Sequence, residues 1–250
     1  MTPGFNGRFF DLSDRPERFQ VSPGFFFGPI GRGIEQLRAL GGDDTLLGSQ
    51  DPDVLNGNLG NDLAYGGGGG DRLFGGQGAD TLLGEGDNDA LFGNRGNDIL
   101  GGGAGNDLLR GGRANDTLIG GEGDDTLIGD VGSDVLTGGS GRDVFVLRTD
   151  LAIANPSAVD RILDFDVNGD LIGLTDGVTL AQLQFVPFTD AAGLPPGAPE
   201  GTPAPPPVSG TLIQLAPDRI LGFVVNVPPD AFTFPGISRF TDASQLVRIT

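Results

Sequence analysis

The stretch GGAGNDLLRGGRANDTLIGGEGDDTLIGD, residues 102–130, sets an aspartate every nine residues, at Asp107, Asp116 and Asp125. Glycines precede each one, and a leucine follows two places later, at Leu109, Leu118 and Leu127. Outward from there the same beat runs unbroken from Ala39 to Val146, twelve units of nine without insertion or deletion. The sixth place is always aspartate: Asp44, Asp53, Asp62, Asp71, Asp80, Asp89, Asp98, Asp107, Asp116, Asp125, Asp134 and Asp143. The eighth is Leu in ten units, with Ala64 and Phe145 in the other two. Gly holds the first place in all but the opening unit, and the fourth except at Asp51, Asp87 and Ala114. Ahead of the run, Gly33, Glu35 and Leu37 fall in the same register as a half-unit with Glu at the acidic place. A fixed period this short marks a solenoid.

Composition narrows the class of chain that carries this run. With 46 glycines and 18 prolines among 250 residues, neither an ordinary packed core from end to end nor much helix is expected. The formal charge is −19, and all 15 basic residues are arginine. That charge disfavours nucleic acid and anionic membrane surfaces and favours cations. There is no Cys and no His, which excludes disulfides, thiolate nucleophiles, His-ligated zinc and Ser-His-Asp catalysis within this chain. No stretch approaches the roughly 18 apolar residues of a membrane span. The opening MTPGFNGRFFDLSDRPERF lacks the basic start, apolar run and cleavage site of a Sec signal peptide, so export is expected to use another route. Charge also divides the chain: +1 over residues 1–38, −14 over 39–146 and −6 over 147–250.

The unit resembles the RTX nonapeptide G-G-x-G-x-D-x-(L/I/V)-x, as in GGEGDDTLI, residues 120–128, and GGSGRDVFV, residues 138–146. The resemblance extends over 108 of the 250 residues. It implies an all-β, right-handed parallel β-roll in which x-L-x is a short strand, G-G-x-G-x-D a turn, and two units complete one coil. It also implies Ca²⁺ bound at the turns by the twelve aspartates, export by a type I secretion system that reads a C-terminal signal, and an extracellular or cell-surface location.

Elementary energetics agrees. One inward Leu per unit contributes roughly 1.5–3 kcal/mol, against about 1–2 kcal/mol of backbone entropy for each residue ordered. Coils stacked about 4.8 Å apart bring like-charged carboxylates together, so stacking alone is repulsive. A hard divalent cation shared between successive turns reverses the sign, with glycine carbonyls completing its oxygen shell. Ca²⁺ fits better than Mg²⁺, which demands a tighter octahedron, or a transition metal, which prefers imidazole or thiolate. Twelve units offer on the order of ten such sites, five on each edge. Without the cation, the same composition reads as a disordered acidic linker. Asp51, Pro52, Asp87 and Ala114 are expected to disturb their turns, leaving Gly93–Asp143 the tighter-binding stretch and Asp44–Asp62 the weaker.

Three regions follow: a lead-in or cap, 1–38; the roll, 39–146; and a C-terminal β cap, 147–250, with a Pro-rich loop at 189–209 and the expected secretion signal. The Phe-rich start, with Phe5, Phe9, Phe10, Phe19 and Phe25–Phe27, is expected to cover the open first coil. DRILDFDVNGDLIGLTDGVTL, residues 160–180, resembles the strand-rich segment that follows RTX rolls in secreted proteases and in small hemolysin-type calcium-binding proteins of cyanobacterial type. The matching positions are Asp160, Ile162, Asp164, Phe165, Asp170, Ile172 and Leu174. Alternating apolar residues place strands near 160–166, 170–174, 182–187, 211–215 and 220–227, expected as an antiparallel cap. Residues 164–170 imitate the start of an EF-hand loop, but Thr175 stands where the bidentate Glu belongs, so strand-turn-strand with solvated acids is the reading. Asp160 and Asp164 leave a carboxylate-pair glycosidase chemically conceivable. The leading expectation is a secreted, non-enzymatic calcium-binding protein. The alternative is a surface adhesin or matrix protein that binds acidic polysaccharide through calcium.

Overall fold

Strands put alternate side chains on opposite faces, so a leucine flanked by exposed residues suits a thin solenoid wall with one side to the interior. The computed structural model describes residues 4–6, 9–11, 18–20, 35–39, 41–151, 155, 158–175, 178, 180–190, 208–216, 219–232 and 240–242. Three short strands open the chain, β1 (Gly4–Asn6), β2 (Phe9–Asp11) and β3 (Arg18–Gln20), and β4 (Glu35–Arg38) carries the half-unit. The roll follows with β5 (Thr45–Leu47), β6 (Asp53–Leu59), β7 (Leu63–Gly67), β8 (Arg72–Gln77), β9 (Thr81–Gly86) and β10 (Ala90–Arg95). It continues through β11 (Ile99–Ala104), β12 (Leu108–Arg113), β13 (Thr117–Glu122), β14 (Thr126–Val131), β15 (Val135–Ser140) and β16 (Val144–Leu147). The tail adds β17 (Asp160–Ile162), β18 (Leu171–Leu174), β19 (Gln184–Asp190), β20 (Val208–Ala216), β21 (Arg219–Val225) and β22 (Phe240–Asp242).

From β2 to β18 the even- and odd-numbered strands separate into two parallel walls, and β1 adds to the even wall antiparallel to β2. Along the roll each strand pairs with the one two places later, β8 with β10 and β9 with β11, so one coil is two units. Register is one unit of sequence per strand: Leu73 lies beside Leu91, and Leu82 beside Leu100. The eighth-place side chains from Leu46 to Phe145 form a double column between the walls, each no more than 1% exposed. The half-unit joins in register, with Glu35 beside Asp53 and Leu37 beside Leu55. Strands β2 and β3 extend the two walls by parallel pairing with β4 and β5, while Phe25–Phe27 lie outside the described residues.

Two expectations about strands need correcting. The roll strands are mostly six residues, not three: β12 runs from the seventh place of one unit, Leu108, to the third of the next, Arg113. The turn is thereby confined to places four to six. The chain bends within the strand instead: the pairing register skips the first-place glycine, passing from Phe92 beside Arg110 to Asn94 beside Gly112, and Gly112 takes φ 116°. At that place only glycine adopts the left-handed backbone freely, although Glu85 and Asp130 are held there at φ 76° and 71°.

The tail is likewise less antiparallel than expected. β17 and β18 pair parallel to β15 and β16, adding another rung to each wall, because Asp160-Arg161-Ile162 and Asp170-Leu171-Ile172 keep the Asp-x-apolar pattern. β21 follows β17 in parallel, and the antiparallel part is the sheet of β21, β20 and β19. Residues 191–207 of the Pro-rich loop lie outside the described residues, and their flanks close as strand partners, Asp190 beside Val208. In this tail the core widens to include Phe145, Ile162, Phe165, Ile172, Ile213 and Val224. Among the described residues no helix is long and apolar enough to cross a membrane.

Because the core is one side chain wide, a vacancy in it cannot be refilled from a second layer. Leu100→Ala is expected to cost about 2–5 kcal/mol, read as a fall in unfolding free energy by denaturant titration with calcium in excess.

Candidate metal centre

Each sixth-place aspartate ends a turn and points inward just before its strand, which stacks the twelve into two columns. Asp44, Asp62, Asp80, Asp98, Asp116 and Asp134 lie along the edge leading into the odd strands. Asp53, Asp71, Asp89, Asp107, Asp125 and Asp143 line the even edge. All twelve are buried, none more than 3% exposed. Within each column Oδ1 accepts the backbone N–H of the aspartate one coil earlier: Asp89 N–H to Asp107, Asp107 N–H to Asp125 and Asp98 N–H to Asp116, each at 2.8 Å. One oxygen of every link therefore sets the stacking.

The second oxygen has no such use. At Asp62, Asp71, Asp80, Asp89, Asp98, Asp107, Asp116, Asp125, Asp134 and Asp143, Oδ2 is buried without a hydrogen-bond partner. A buried carboxylate oxygen left so is costly unless a cation meets it. Each of these atoms lies against the first-place glycine of its own unit. A Cβ at Gly102 would strike Asp107 Oδ2 and approach the Gly120 carbonyl oxygen, one coil on, to 2.7 Å; at Gly93 the same construction meets Asp98 Oδ2 and the Gly111 carbonyl. Carboxylate and carbonyl oxygens thus converge where a side chain is missing. This is the donor set of a hard cation, and Ca²⁺, which takes about 6–8 oxygens at flexible geometry, fits it. Among the described residues no three acidic side chains gather into a cluster, so backbone carbonyls must supply much of any shell.

One aspartate differs. Asp53 Oδ2 accepts the Ser49 backbone N–H at 2.7 Å and its hydroxyl at 3.0 Å, which closes that turn internally. Disturbance was expected around Asp51 and Pro52, and the structure locates it at Ser49, the second place of the unit. Asp87 and Ala114, also expected to distort, take the left-handed backbone at φ 68° and 82° while Asp89 and Asp116 keep their places in the columns.

Burial dominates the protonation of these groups. It pushes Asp62, Asp71, Asp89 and Asp125 up to about 7, Asp116 up to about 8, and Asp80, Asp98 and Asp143 up to about 6. The N–H from the previous coil opposes the rise, and neighbouring carboxylates add to it at most positions. Asp53, Asp107 and Asp134 are raised for the same first cause.

Two features escaped the sequence reading. At the fifth place, treated as free, a second ladder runs the other way: Asn88 Oδ1 accepts Asn106 N–H, Asn106 Oδ1 accepts Asp124 N–H, and Asn97 and Asn115 do likewise for Asn115 and Ser133. The recurrent Asn-Asp pair, as at 97–98 and 106–107, was its signal. The columns also continue into the tail, where Asp160 Oδ1 accepts Asp134 N–H and Asp170 Oδ1 accepts Asp143 N–H across 26 and 27 residues instead of 18. Of the acids of 164–170, Asp164 and Asp166 are exposed as expected, and Asp170 is buried. Asp164 grips the N–H groups of Gly138 and Gly139, and Asp170, 3% exposed, also takes the Asp166 N–H.

Walls, columns and notches define a parallel β-roll with an oxygen-donor site repeated from turn to turn. The family model of the RTX calcium-binding nonapeptide repeat (4 copies) matches residues 30–64, 38–73, 65–100, 101–136 and 110–145. Residues 30–145 belong to that family of calcium-binding repeats. A comparison with curated proteins finds no match.

Asp107→Asn, which keeps an oxygen for the Asp89 N–H but removes the charge, is expected to lower the calcium bound per chain in equilibrium dialysis. Asp53→Asn, at the turn Ser49 already closes, is expected to leave the count unchanged. Acid has a definite sign. Below about pH 4 folded and unfolded chains both hold these protons, so the metal-free roll has its full stability there. As pH rises through 6–8 the folded carboxyls resist ionising and that stability is lost. Calcium competes with the same protons, so its half-saturation concentration is expected to rise as pH falls from 8 to 6, with proton release on binding measurable by pH-stat.

Proposed function

We propose that this is a secreted, non-enzymatic calcium-binding protein whose roll folds when the chain meets extracellular calcium after export by a type I secretion system. The observation that carries the reading is the set of ten buried, unpartnered Oδ2 atoms in register on two edges. In a calcium-poor compartment, burying those charges opposes the thin leucine column and the chain stays extended enough to thread an exporter. In a calcium-rich one, metal binding becomes folding free energy. Asp44 and the ten aspartates from Asp62 to Asp143 are the proposed ligands; Asp53, whose second oxygen Ser49 already occupies, is not one of them.

Absence of His, Cys and Lys supports a non-catalytic role. So does the engagement of Asp160 and Asp164, the acids a carboxylate-pair mechanism would use, with backbone donors of the roll.

Calcium titrated into metal-stripped protein, followed by far-UV circular dichroism with magnesium as control, tests the switch. A coil-to-β transition at micromolar to millimolar Ca²⁺, absent with Mg²⁺, is expected. A metal-free chain already fully folded at pH 8 and unchanged by calcium would overturn it.

A further inference from the structure

Arginine is unevenly placed on the roll. Four of the five arginines in residues 39–146, Arg72, Arg95, Arg110 and Arg113, lie in even-wall strands, β8, β10 and β12. The fifth, Arg142, sits in a turn and pairs with Asp124. The odd strands from β5 to β15 contain no arginine and carry Glu85 and Glu122, both exposed. One wall is therefore the cationic side of a chain whose formal charge is −19.

These four cations are not equivalent. Arg110 is engaged by Asp130, and Arg72 lies over the Phe74 ring, 5.9 Å from its centroid. Arg95 and Arg113 are exposed register partners in β10 and β12, and among the described residues neither has a carboxylate at ion-pair distance. Gln77 is the register partner of Arg95 on its other side, and Asn94 precedes it in the strand; both amides are exposed. Gly76 and Gly112 lie beside Asn94 in the two adjacent strands, so no side chain stands up around it.

The ligand such a row fits is set by its chemistry. Two guanidinium forks repeated at the coil spacing of about 4.8 Å each take a carboxylate bidentately. The amides beside them donate to and accept from hydroxyls. Carboxylates interleaved with hydroxyls along an extended polymer are a uronic-acid glycan. A single-stranded nucleic acid would also call for open aromatic faces on which bases stack, and Phe74 and Phe92 are half-buried and stacked on each other at 5.0 Å.

We propose that Arg95 and Arg113, with Gln77 and Asn94, bind an anionic, uronate-containing glycan laid along the roll axis, the guanidinium groups and not bridging calcium making the contact. It rests on the reading of the turns as calcium sites, because seven bound Ca²⁺ offset the −14 of residues 39–146 that would otherwise repel a polyanion.

The test is isothermal titration calorimetry at pH 8 and fixed calcium with oligogalacturonides too short to gel with that ion. Wild type is compared with the double variant Arg95→Gln/Arg113→Gln and with Glu85→Gln/Glu122→Gln on the opposite wall, each checked for calcium-dependent folding by far-UV circular dichroism. Wild-type binding that weakens with added salt, falls roughly tenfold or more in the arginine variant and is not weakened in the glutamate variant is the expected result. Equal binding by wild type and a folded arginine variant would overturn the proposal, since the contact would then run through calcium or another face. Tighter binding of a single-stranded oligonucleotide of equal charge would overturn it in favour of nucleic acid. A folded, calcium-loaded wild type that binds no oligogalacturonide would also overturn it while leaving the turns as calcium sites. A wild type that neither binds calcium nor folds with it would overturn the calcium reading instead.

Discussion

Stacking identical coils puts identical carboxylates over one another, and the rest of this structure depends on how their charge is met. The two oxygens of each aspartate divide the task. Oδ1 takes the N–H of the neighbouring coil and so fixes spacing and register, while Oδ2 remains an interior oxygen without a hydrogen-bond partner at ten positions. The apolar core adds one side chain per unit, too little by itself to outweigh the ordering of nine residues. On the proposed function, the sign of the electrostatic column decides whether the chain is a roll, and a cation or a proton changes that sign.

The chain shows three ways of meeting an interior carboxylate. Repeat turns leave an oxygen beside a glycine that has no side chain to fill the space. Asp53 and Asp170 instead receive a backbone N–H from four residues before, which terminates the even column at both ends. Asp130, in a second-place position, is held by Arg110 and Arg148. Only the first leaves a carboxylate oxygen without a hydrogen-bond partner; at residue 49 a second-place serine closes its turn onto Asp53 while Leu55 stays buried.

Much of this was legible in residues. Period nine, the invariant sixth-place Asp and the eighth-place Leu specify parallel coils and the inward faces of both walls, because a buried residue in a strand dictates its register. The half-unit at Glu35 and Leu37 and most tail strands were legible for the same reason. Strand length was not, since glycine carries no apolar signal and its place in a strand depends on the carboxylate packed against it. The fifth-place ladder was not legible because that place carries no fixed residue, running through Asp43, Pro52, Gly70, Ala79 and Arg142 as well as asparagine. Asp160 and Asp170 were seen as strand markers. Their membership of the columns depends on pairing across an enlarged coil, which a fixed period of nine cannot reveal.

Hydrogen exchange along residues 44–143, with and without calcium at pH 8, tests the central claim most directly. The account predicts that the amides of Asp62, Asp80, Asp98 and Asp116, and of Asp71, Asp89 and Asp107, are unprotected in metal-free protein and become protected together over one narrow range of calcium. Equal protection of these amides in the absence of calcium would mean that the leucine columns hold the coils unaided, and would contradict it.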